Sequence, residues 1–245
     1  MARSSGRQDH DLRPLALDTH YLDYAEGSVL VNWGRTRVLC AASVLEEVPP
    51  FRRGSGGGWV TAEYAMLPRS TGTRQTREGL TGRVRGRSQE IQRLIGRSLR
   101  AVVDLPALGE RTVILDCDVL QADGGTRAAA ITGAFVALCL ALEPLRQKEV
   151  LKMLPITDQV AAVSVGQVAG SLLLDLDYQE DSLAQVDANF VATGRGELVE
   201  VQATGEEGPF PRQLLPDMLD VALAGLEQIF GHQEEALKPW LPLPW

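Results

Sequence analysis

The chain has few of the side chains on which common catalytic devices depend. It contains three cysteines and three histidines among 245 residues. Cys40, Cys117 and Cys139 each lie in an apolar segment, and none belongs to a Cys-x-x-Cys pair, so neither a disulfide framework nor a zinc site is indicated. The histidines lie near the two ends of the chain and beside no candidate nucleophile, which argues against a Ser-His-Asp device.

Long hydrophobic runs are also scarce. The first eighteen residues, MARSSGRQDHDLRPLALD, have no apolar core of the length that a signal peptide needs. We expect no stretch to approach the length of a membrane span, and therefore a cytoplasmic protein without a membrane partner. With 44% hydrophobic residues the chain can still bury a core, as one large domain or as two fused units.

Lysine is the third scarce residue, because nearly all of the positive charge is arginine. The net charge is −8, yet residues 52–100 carry eleven arginines against three glutamates, and residues 101–245 carry 8 basic and 22 acidic side chains. A basic patch thus belongs to an otherwise acidic chain. Arginine can bind two phosphate oxygens at once and can stack on bases, which a lysine ammonium cannot do.

The basic patch is densest between Pro68 and Glu90, in PRSTGTRQTREGLTGRVRGRSQE. Its composition of Gly, Thr and Ser predicts a mobile loop. A solvated face that balances acids elsewhere is the alternative interpretation. Unpaired like charges held together bring a folded surface no stability, which favours binding of an anion. The arginines of this segment are Arg69, Arg74, Arg77, Arg83, Arg85 and Arg87.

Hydrophobic periodicity predicts an α+β fold. Segments of strand character and two amphipathic helices are separated by glycine turns. We expect strands over Ser28–Val31, Arg37–Leu45, Trp59–Met66, Arg111–Leu120, Val160–Val168 and Ser171–Leu176, a hairpin around Gly194–Gly196, and helices over about 87–103, over Thr126–Leu142 and from about Pro211. Because strands are followed by a helix twice, we expect two α+β units that share a core, over 1–145 and 153–245, with a linker from Pro144 to Lys152.

Four blocks resemble the bacterial ribonuclease PH family in one register from about Gly6 to Phe230. They are GWVTAEYAMLPRSTGTRQTRE, GRSQEIQRLIGRSLRAVVDL, DCDVLQADGGTRAAAITG and LDYQEDSLAQVDANFV. The resemblance implies the ribosomal-protein-S5-domain-2-like α+β fold with two β-sheet/helix units. It also implies assembly into a ring-shaped homohexamer, a trimer of dimers. The nine residues at the C-terminal end, rich in Pro and Trp, lie outside the resemblance and are left without a role.

The resemblance implies a phosphorolytic 3′-to-5′ exoribonuclease that trims tRNA precursors. Inorganic phosphate would release nucleoside diphosphates, and the reverse reaction would add nucleotides. The phosphate-binding positions of the family correspond to Arg87, Gly125, Thr126 and Arg127. A lone Gly-Gly-Thr-Arg has a second interpretation, a turn with Thr126 as helix N-cap and Arg127 in solvent.

The resemblance also assigns a divalent metal, Mg²⁺ with Mn²⁺ as a substitute, to Asp181 and Asp187. Two carboxylates suffice for Mg²⁺ when water and substrate oxygens complete its coordination. Acids at strand ends are also common turn formers, so Asp175, Asp177 and Glu180 stay unassigned, with Glu180 as a candidate neighbour of the metal ligands. Near the Gly-Gly turn, we expect Asp116, Asp118 and Asp123 to orient arginines or to cap backbone groups.

In the family, the loop that corresponds to Arg69, Arg74 and Arg77 contacts RNA, and these residues are expected to bind the tRNA body. The later part of that loop, 78–85, departs from the commoner family form. A catalytic or structural subunit of an exosome-like ring is the alternative function. A small-molecule kinase would need a phosphate loop that the sequence lacks, and polynucleotide phosphorylase would need a longer chain.

Overall fold

The first half of the protein is built on a five-stranded sheet in the computed structural model, which describes residues 3, 6–78, 85–243 and 245. The order of its strands is β1-β2-β3-β5-β4, in which only β4 and β5 are parallel. A single turn of 3₁₀-helix, Pro50–Arg52, precedes β4. The strands are β1 Leu15–Thr19, β2 Gly27–Trp33, β3 Thr36–Leu45, β4 Trp59–Met66 and β5 Thr112–Gln121.

Two long helices, α1 (Gly86–Arg100) and α3 (Thr126–Gln147), pack against this sheet. A short helix, α2 (Leu105–Leu108), lies between α1 and β5. The apolar side of α1 is buried from Ile91 to Leu99, and Val102 and Val103, predicted on the same helix, are buried just after its end. All sides of α3 are buried. Many of its side chains are small, which lets the strands approach it closely. The core therefore forms around α3.

The second half has a four-stranded antiparallel sheet of order β7-β6-β8-β9. Both α3 and the last helix, α5, pack against β6, so the two halves share one hydrophobic core. Gln233 on α5 links them further, since its side-chain amide donates to the carbonyls of Thr132 and Val160. The elements are β6 Val160–Val168, β7 Ser171–Leu174, α4 Tyr178–Ser182, β8 Val186–Thr193, β9 Leu198–Gly205 and α5 Leu214–Leu237.

The predicted α+β class, both hairpins and all three long helices are confirmed. The periodicity did not reveal β1, α2 or α4, which are short. The C-terminal residues pack back onto the protein, with Trp240 donating to Thr19 Oγ1 and Trp245 beside Phe135. Part of the arginine-rich segment, 79–84 with Arg83, lies outside the described residues.

Two expectations about α3 and its end are wrong. The helix is long and apolar enough to cross a membrane, with a mean hydropathy of 1.9 over an 18-residue window, but 89% of that window is buried inside the protein. It is the central core helix. It also continues past Pro144 to Gln147, so the expected linker begins too early. A proline three residues from a helix end removes a single backbone donor, and the last turn still forms.

We predict that Gly27→Ala destabilises the protein by roughly 1–3 kcal/mol, because overpacking a tight contact forces the backbone to shift. A Cβ atom on Gly27 in β2 would meet the Ala137 carbonyl and stand 2.6 Å from Ala141 N, both in the backbone of α3. Denaturant unfolding followed by circular dichroism measures the change. Gly231→Ala, at an open position of α5, is the control and should stabilise by about 0.5–1 kcal/mol. Equal shifts for the two variants would contradict the packing argument.

Candidate active site

The Gly-Gly turn before α3 is held in a left-handed conformation by specific contacts. Gly124 and Gly125 have φ values of 77° and 67°. A Cβ atom on Gly124 would stand 2.6 Å from the carbonyl oxygen of Leu176, so only glycine fits there. Thr36 on β3 donates its hydroxyl to the Gly124 carbonyl at 2.7 Å and accepts from Asp123 N at 3.0 Å.

Thr126 is the first residue of α3, and Gly125 is the N-cap. The interpretation of Thr126 as N-cap is therefore wrong. Its hydroxyl pairs instead with the hydroxyl of Tyr64 on β4 at 2.8 Å, and both side chains are buried. The first N–H groups of a helix have no partner inside the helix and carry partial positive charge, so this end of α3 attracts anions.

A buried arginine ties the turn to the second half of the protein. Arg13 is 5% exposed and donates from Nη1 to the Asp123 carbonyl at 2.6 Å. It also binds both carboxylate oxygens of Asp175, at 2.6 and 3.0 Å, and Trp33 Nε1 donates to Asp175 at 2.9 Å. This brace, Arg13 with Asp175, fixes the turn relative to the chain that leads into α4.

The helix α4 presents Asp181 to the site and uses the neighbouring acids for its own stability. Asp177 and Glu180 form a capping box, in which Asp177 Oδ1 accepts from Glu180 N at 2.9 Å and Glu180 Oε2 accepts from Asp177 N at 3.0 Å. Glu180 also binds Arg3 at 2.7 Å in a buried ion pair. Asp175, Asp177 and Glu180 therefore have structural contacts, and Glu180 faces arginines of the N-terminal segment.

One face of the second sheet supplies the rest of the site. Strand register aligns Ser164, Asn189 and Gln202 in one row across β6, β8 and β9. The next row on the same face holds Asp187 and Thr204, because side chains two residues apart share a face. The polar serine within the apolar strand VAAVSVGQV was a signal for this face that the sequence analysis did not use.

A cavity of about 70 Å³ brings these elements together. All six residues predicted for phosphate and metal line it: Arg87, Gly125, Thr126, Arg127, Asp181 and Asp187. Ser164 and Asn189, which were not predicted, complete its wall. Arg87 is the second residue of α1, so the ends of two helices meet here. Among the described residues, the guanidinium of Arg87 forms no ion pair and no hydrogen bond.

A second cavity of about 370 Å³ shares both arginines and both aspartates with the first. The remainder of its wall is mostly short or polar: Ser182, Ala184, Gln202, Thr204 and Glu206. A larger cavity of about 1040 Å³ lies beside the N-terminal segment and contains none of the predicted site residues. The predicted phosphate and metal residues therefore lie in the two smaller cavities.

Burial perturbs the carboxyl groups of the site. Partial desolvation, followed by repulsion from Asp181, raises the pKa of Asp187 to about 6. Partial desolvation also raises the pKa of Asp181, and the positive charges of Arg87 and Arg127 oppose that shift. Burial likewise raises the pKa of the Tyr64 phenol, so it stays protonated beside Thr126. Additional positive charge nearby would lower the pKa of both carboxyl groups and favour their charged form.

The carboxylates fit a hard divalent cation that substrate helps to bind. Among the described residues, no group of three His, Cys, Asp or Glu could hold a metal by itself. Asp187 Oδ1 is nevertheless buried without a hydrogen-bond partner, next to the carboxylate of Asp181. An unpaired buried oxygen is costly unless a ligand satisfies it. Mg²⁺ accepts one or two protein carboxylates together with phosphate oxygens and water.

The arginines expected to bind RNA lie outside both smaller cavities. Arg69, Arg74 and Arg77 are exposed on the irregular segment that follows β4. Glu78 accepts from Ser88 Oγ at 2.8 Å, which attaches this segment to the first turn of α1. The arginines of this segment therefore lie near the start of α1 and remain exposed.

Three acids near the Gly-Gly turn, Asp116, Asp118 and Asp123, lie outside the two smaller cavities. Burial, followed by repulsion from Asp116, raises the pKa of Asp118, and the charge of Arg77 opposes this shift. Burial also raises the pKa of Asp116 on the same strand. Asp123 is joined to Arg13 through its backbone carbonyl. Asp118 thus lies near a loop arginine.

We predict that Asp187→Asn inactivates the protein yet stabilises it at neutral pH in metal-free buffer. A carboxyl group whose pKa is raised by folding binds its proton more tightly in the folded state, so its ionisation destabilises that state as pH rises from 3.8 to about 6. Removing that charge should raise the unfolding free energy by roughly 1–2 kcal/mol. Thermal unfolding across pH measures the effect.

The gain from Asp187→Asn should vanish near pH 4, where the wild-type carboxyl is protonated in the folded protein. A variant that is less stable than wild type at neutral pH would contradict the perturbed pKa. Addition of Mg²⁺ should stabilise the wild type more than the variant, because the variant lacks one carboxylate charge.

Comparison with known proteins identifies the family. Sequence profiles of the 3′ exoribonuclease family match residues 11–144 as domain 1 and residues 158–225 as domain 2. The chain is 58% identical to ribonuclease PH of Moorella thermoacetica over 237 residues, which cover 97% of this chain and 95% of the relative. It is 56% identical to ribonuclease PH of Bacillus cereus strain AH187, over 96% of each chain.

Solved structures with 19–22% sequence identity share the fold. Rice (Oryza sativa) Rrp46 superposes with a TM-score of 0.77 over 96% of this chain and 100% of its own. The Archaeoglobus fulgidus exosome with RNA bound to the active site superposes with a TM-score of 0.78, over 94% of this chain and 91% of its own. With its sequence similarity, fold and pocket taken together, the chain belongs to the ribonuclease PH family and is a phosphate-dependent 3′-to-5′ exoribonuclease.

Proposed function

We propose that this protein trims the 3′ ends of tRNA precursors, with inorganic phosphate bound by Arg87, Arg127 and the start of α3. The observation that carries this proposal is the small cavity, in which two guanidinium groups and a helix N-terminus face two desolvated carboxylates. The nucleophile of phosphorolysis is already anionic. The protein therefore needs positive charge and orientation, and no side-chain nucleophile.

The small cavity suits one phosphate ion. Its volume of about 70 Å³ exceeds the roughly 10–15 Å³ of such space that one water molecule needs. Gly125 leaves the backbone open, and Thr126 and Arg127 offer the first N–H groups of α3. The forked guanidinium groups of Arg87 and Arg127 supply charge-assisted hydrogen bonds to phosphate oxygens.

In the proposed step, a phosphate oxygen attacks the phosphorus of the last phosphodiester. A new P–O bond forms, and the bond from that phosphorus to the 3′ oxygen of the preceding ribose breaks. That oxygen takes up a proton and becomes the new RNA 3′ end, while the terminal nucleotide leaves as a nucleoside diphosphate. In reverse, the RNA 3′ hydroxyl attacks the diphosphate and releases phosphate. The arginines stabilise the charge on the oxygens in both directions.

Asp181 and Asp187 would hold Mg²⁺, or Mn²⁺ in its place. A bound divalent ion would neutralise charge on the phosphodiester oxygens and lower the pKa of both carboxyl groups. The cavity of about 370 Å³, next to the phosphate position, has room for the terminal nucleotide. Its short polar side chains can hydrogen-bond a ribose or a base edge without requiring one particular base.

The body of the RNA would contact Arg69, Arg74 and Arg77. A ring-shaped homohexamer, a trimer of dimers, would present several copies of this loop to one RNA and raise its effective affinity. Such binding should weaken steeply with salt. We expect the assembly to be cytoplasmic, since its substrate would be newly made tRNA.

A subunit of an exosome-like ring is the second candidate, because the superposed solved structures include exosome proteins. The identities of 56–58% to ribonuclease PH relatives favour the first candidate. A homohexamer that degrades RNA without partner subunits, measured by light scattering and activity on one sample, would exclude the second.

The decisive experiment incubates the purified protein and Mg²⁺ with tRNA that carries extra 3′ nucleotides, with and without phosphate. We expect shortening only with phosphate, and nucleoside diphosphates as the sole products. Nucleoside monophosphates formed without phosphate would indicate hydrolysis and refute the proposal. An unstructured RNA of equal length serves as the comparison for the tRNA preference.

We predict that the two arginine groups separate by function. Arg127→Ala should reduce turnover by at least about 100-fold, the usual loss when a preorganised charge at a reacting centre is removed, while RNA affinity stays near wild type. Arg74→Gln with Arg77→Gln should weaken RNA binding and reduce its salt dependence, with the KM for phosphate unchanged. Filter binding and steady-state kinetics measure both. Equal loss of binding and turnover in each variant would contradict this division.

A further inference from the structure

The guanidinium of Arg127 is already engaged before phosphate arrives. Its Nη1 donates to the side-chain carbonyl oxygen of Gln202 on β9. The same nitrogen lies 3.5 Å from Glu90 Oε1 on α1, and the Gln202 amide donates to that Glu90 oxygen at 3.1 Å. Among the described residues, Nε and Nη2 of Arg127 have no hydrogen bond, which leaves them for an incoming anion.

Glu90 is not the only contact between α1 and β9. Arg97, two turns further along α1, forms an ion pair with Glu200 on β9 at 2.6 Å. Glu200 and Gln202 are two residues apart on one strand and therefore share a face. The contact of α1 with β9 can thus persist without Glu90, and the position of Glu90 beside Arg127 needs another explanation.

Glu90 also lies one helical turn after Arg87, on the same side of α1. Its carboxylate lies 3.5 Å from Arg127 Nη1, on the side of α1 that carries Arg87. A phosphate ion that binds Nε and Nη2 of Arg127 is repelled by this carboxylate, which lies beside the neighbouring Nη1. Gln202 is neutral, so it can hold the guanidinium in place without opposing the phosphate.

We propose that Gln202 and Glu90 are positioning residues for Arg127, and that the Glu90 carboxylate opposes phosphate by charge repulsion. Gln202 orients the guanidinium, and phosphate or the terminal phosphate of a nucleoside diphosphate binds it through Nε and Nη2 while Glu90 stays near Nη1. This repulsion weakens the binding of phosphate and eases its release in the reverse reaction. This inference rests on the proposed role of Arg127 as a phosphate ligand.

The test measures the KM for phosphate and kcat at saturating RNA and constant ionic strength. Glu90→Gln should lower the KM for phosphate about two- to fivefold, the range expected for one partly exposed ion pair, while the KM for RNA stays unchanged. Glu200→Gln makes the same change of charge on the same helix–strand contact without touching Arg127. We expect it to leave the KM for phosphate at the wild-type value.

Gln202→Ala should act in the opposite direction and lower kcat/KM for phosphate, because the freed guanidinium must be ordered when phosphate binds. In the double variant the two effects should not add, since both act on Arg127. Calorimetric titration with inorganic phosphate alone should reproduce the tighter binding by Glu90→Gln.

An unchanged or higher KM for phosphate in Glu90→Gln would overturn the inference. An equal decrease in Glu200→Gln would also overturn it, since net charge alone would then explain the effect. A failure of the underlying assignment looks different, because Arg127→Ala would then keep a wild-type KM for phosphate.

Discussion

The candidate active site keeps two arginines and two aspartates close together without letting them pair. Among the described residues, no ion pair within 4 Å joins Arg87 or Arg127 to Asp181 or Asp187, although all four line one cavity. Direct pairing would satisfy these charges and leave nothing for phosphate or metal to bind. Asp187 keeps a buried oxygen without a partner, and partial desolvation with repulsion from Asp181 raises its pKa to about 6.

A rigid scaffold around the charges keeps them apart. The turn before α3 is bound on one side by Thr36 and on the other by Arg13, which joins it to Asp175. From Asp175 the chain leads directly into the capping box of α4, and α4 carries Asp181. The position of Arg127 relative to Asp181 is therefore set by buried hydrogen bonds that span the two halves of the protein. Side chains on mobile loops would instead collapse into salt bridges.

This arrangement suits a reaction in which the attacking group arrives charged. A protein that activates its own serine or cysteine needs a base beside the nucleophile, whereas phosphorolysis takes inorganic phosphate as the nucleophile. Two guanidinium groups and the start of α3 meet in the small cavity, and positive charge of this kind favours an anion. Because the engagement of Arg127 by Gln202 and Glu90 involves one of these guanidinium groups, it bears on how readily that anion enters and leaves.

Much of the fold follows from local patterns in the sequence. Alternating residues and glycine turns predict the hairpins, and the 3.6-residue spacing of Ile91, Leu94, Ile95 and Leu99 predicts α1. Short elements are missed, because a helix of five residues, such as α4, has too little periodicity to be distinguished from a turn. The end of α3 is misjudged for another reason. Pro144 lacks a backbone N–H donor, but the helix continues to Gln147 because one missing hydrogen bond does not prevent the last turn.

The resemblance to the ribonuclease PH family predicts the site residues in the Gly-Gly-Thr-Arg turn and among the acids after β7. By itself, the sequence determined the strand and helix pattern, the arginine-rich patch and the candidate charged groups, because these depend on neighbours along the chain. Only the tertiary structure decided that Arg13 meets Asp175, 162 positions away, and that Gln202 meets Arg127, 75 positions away. The pKa of Asp187 was also decided there. Desolvation and charge repulsion depend on distances through space, and no local pattern encodes them.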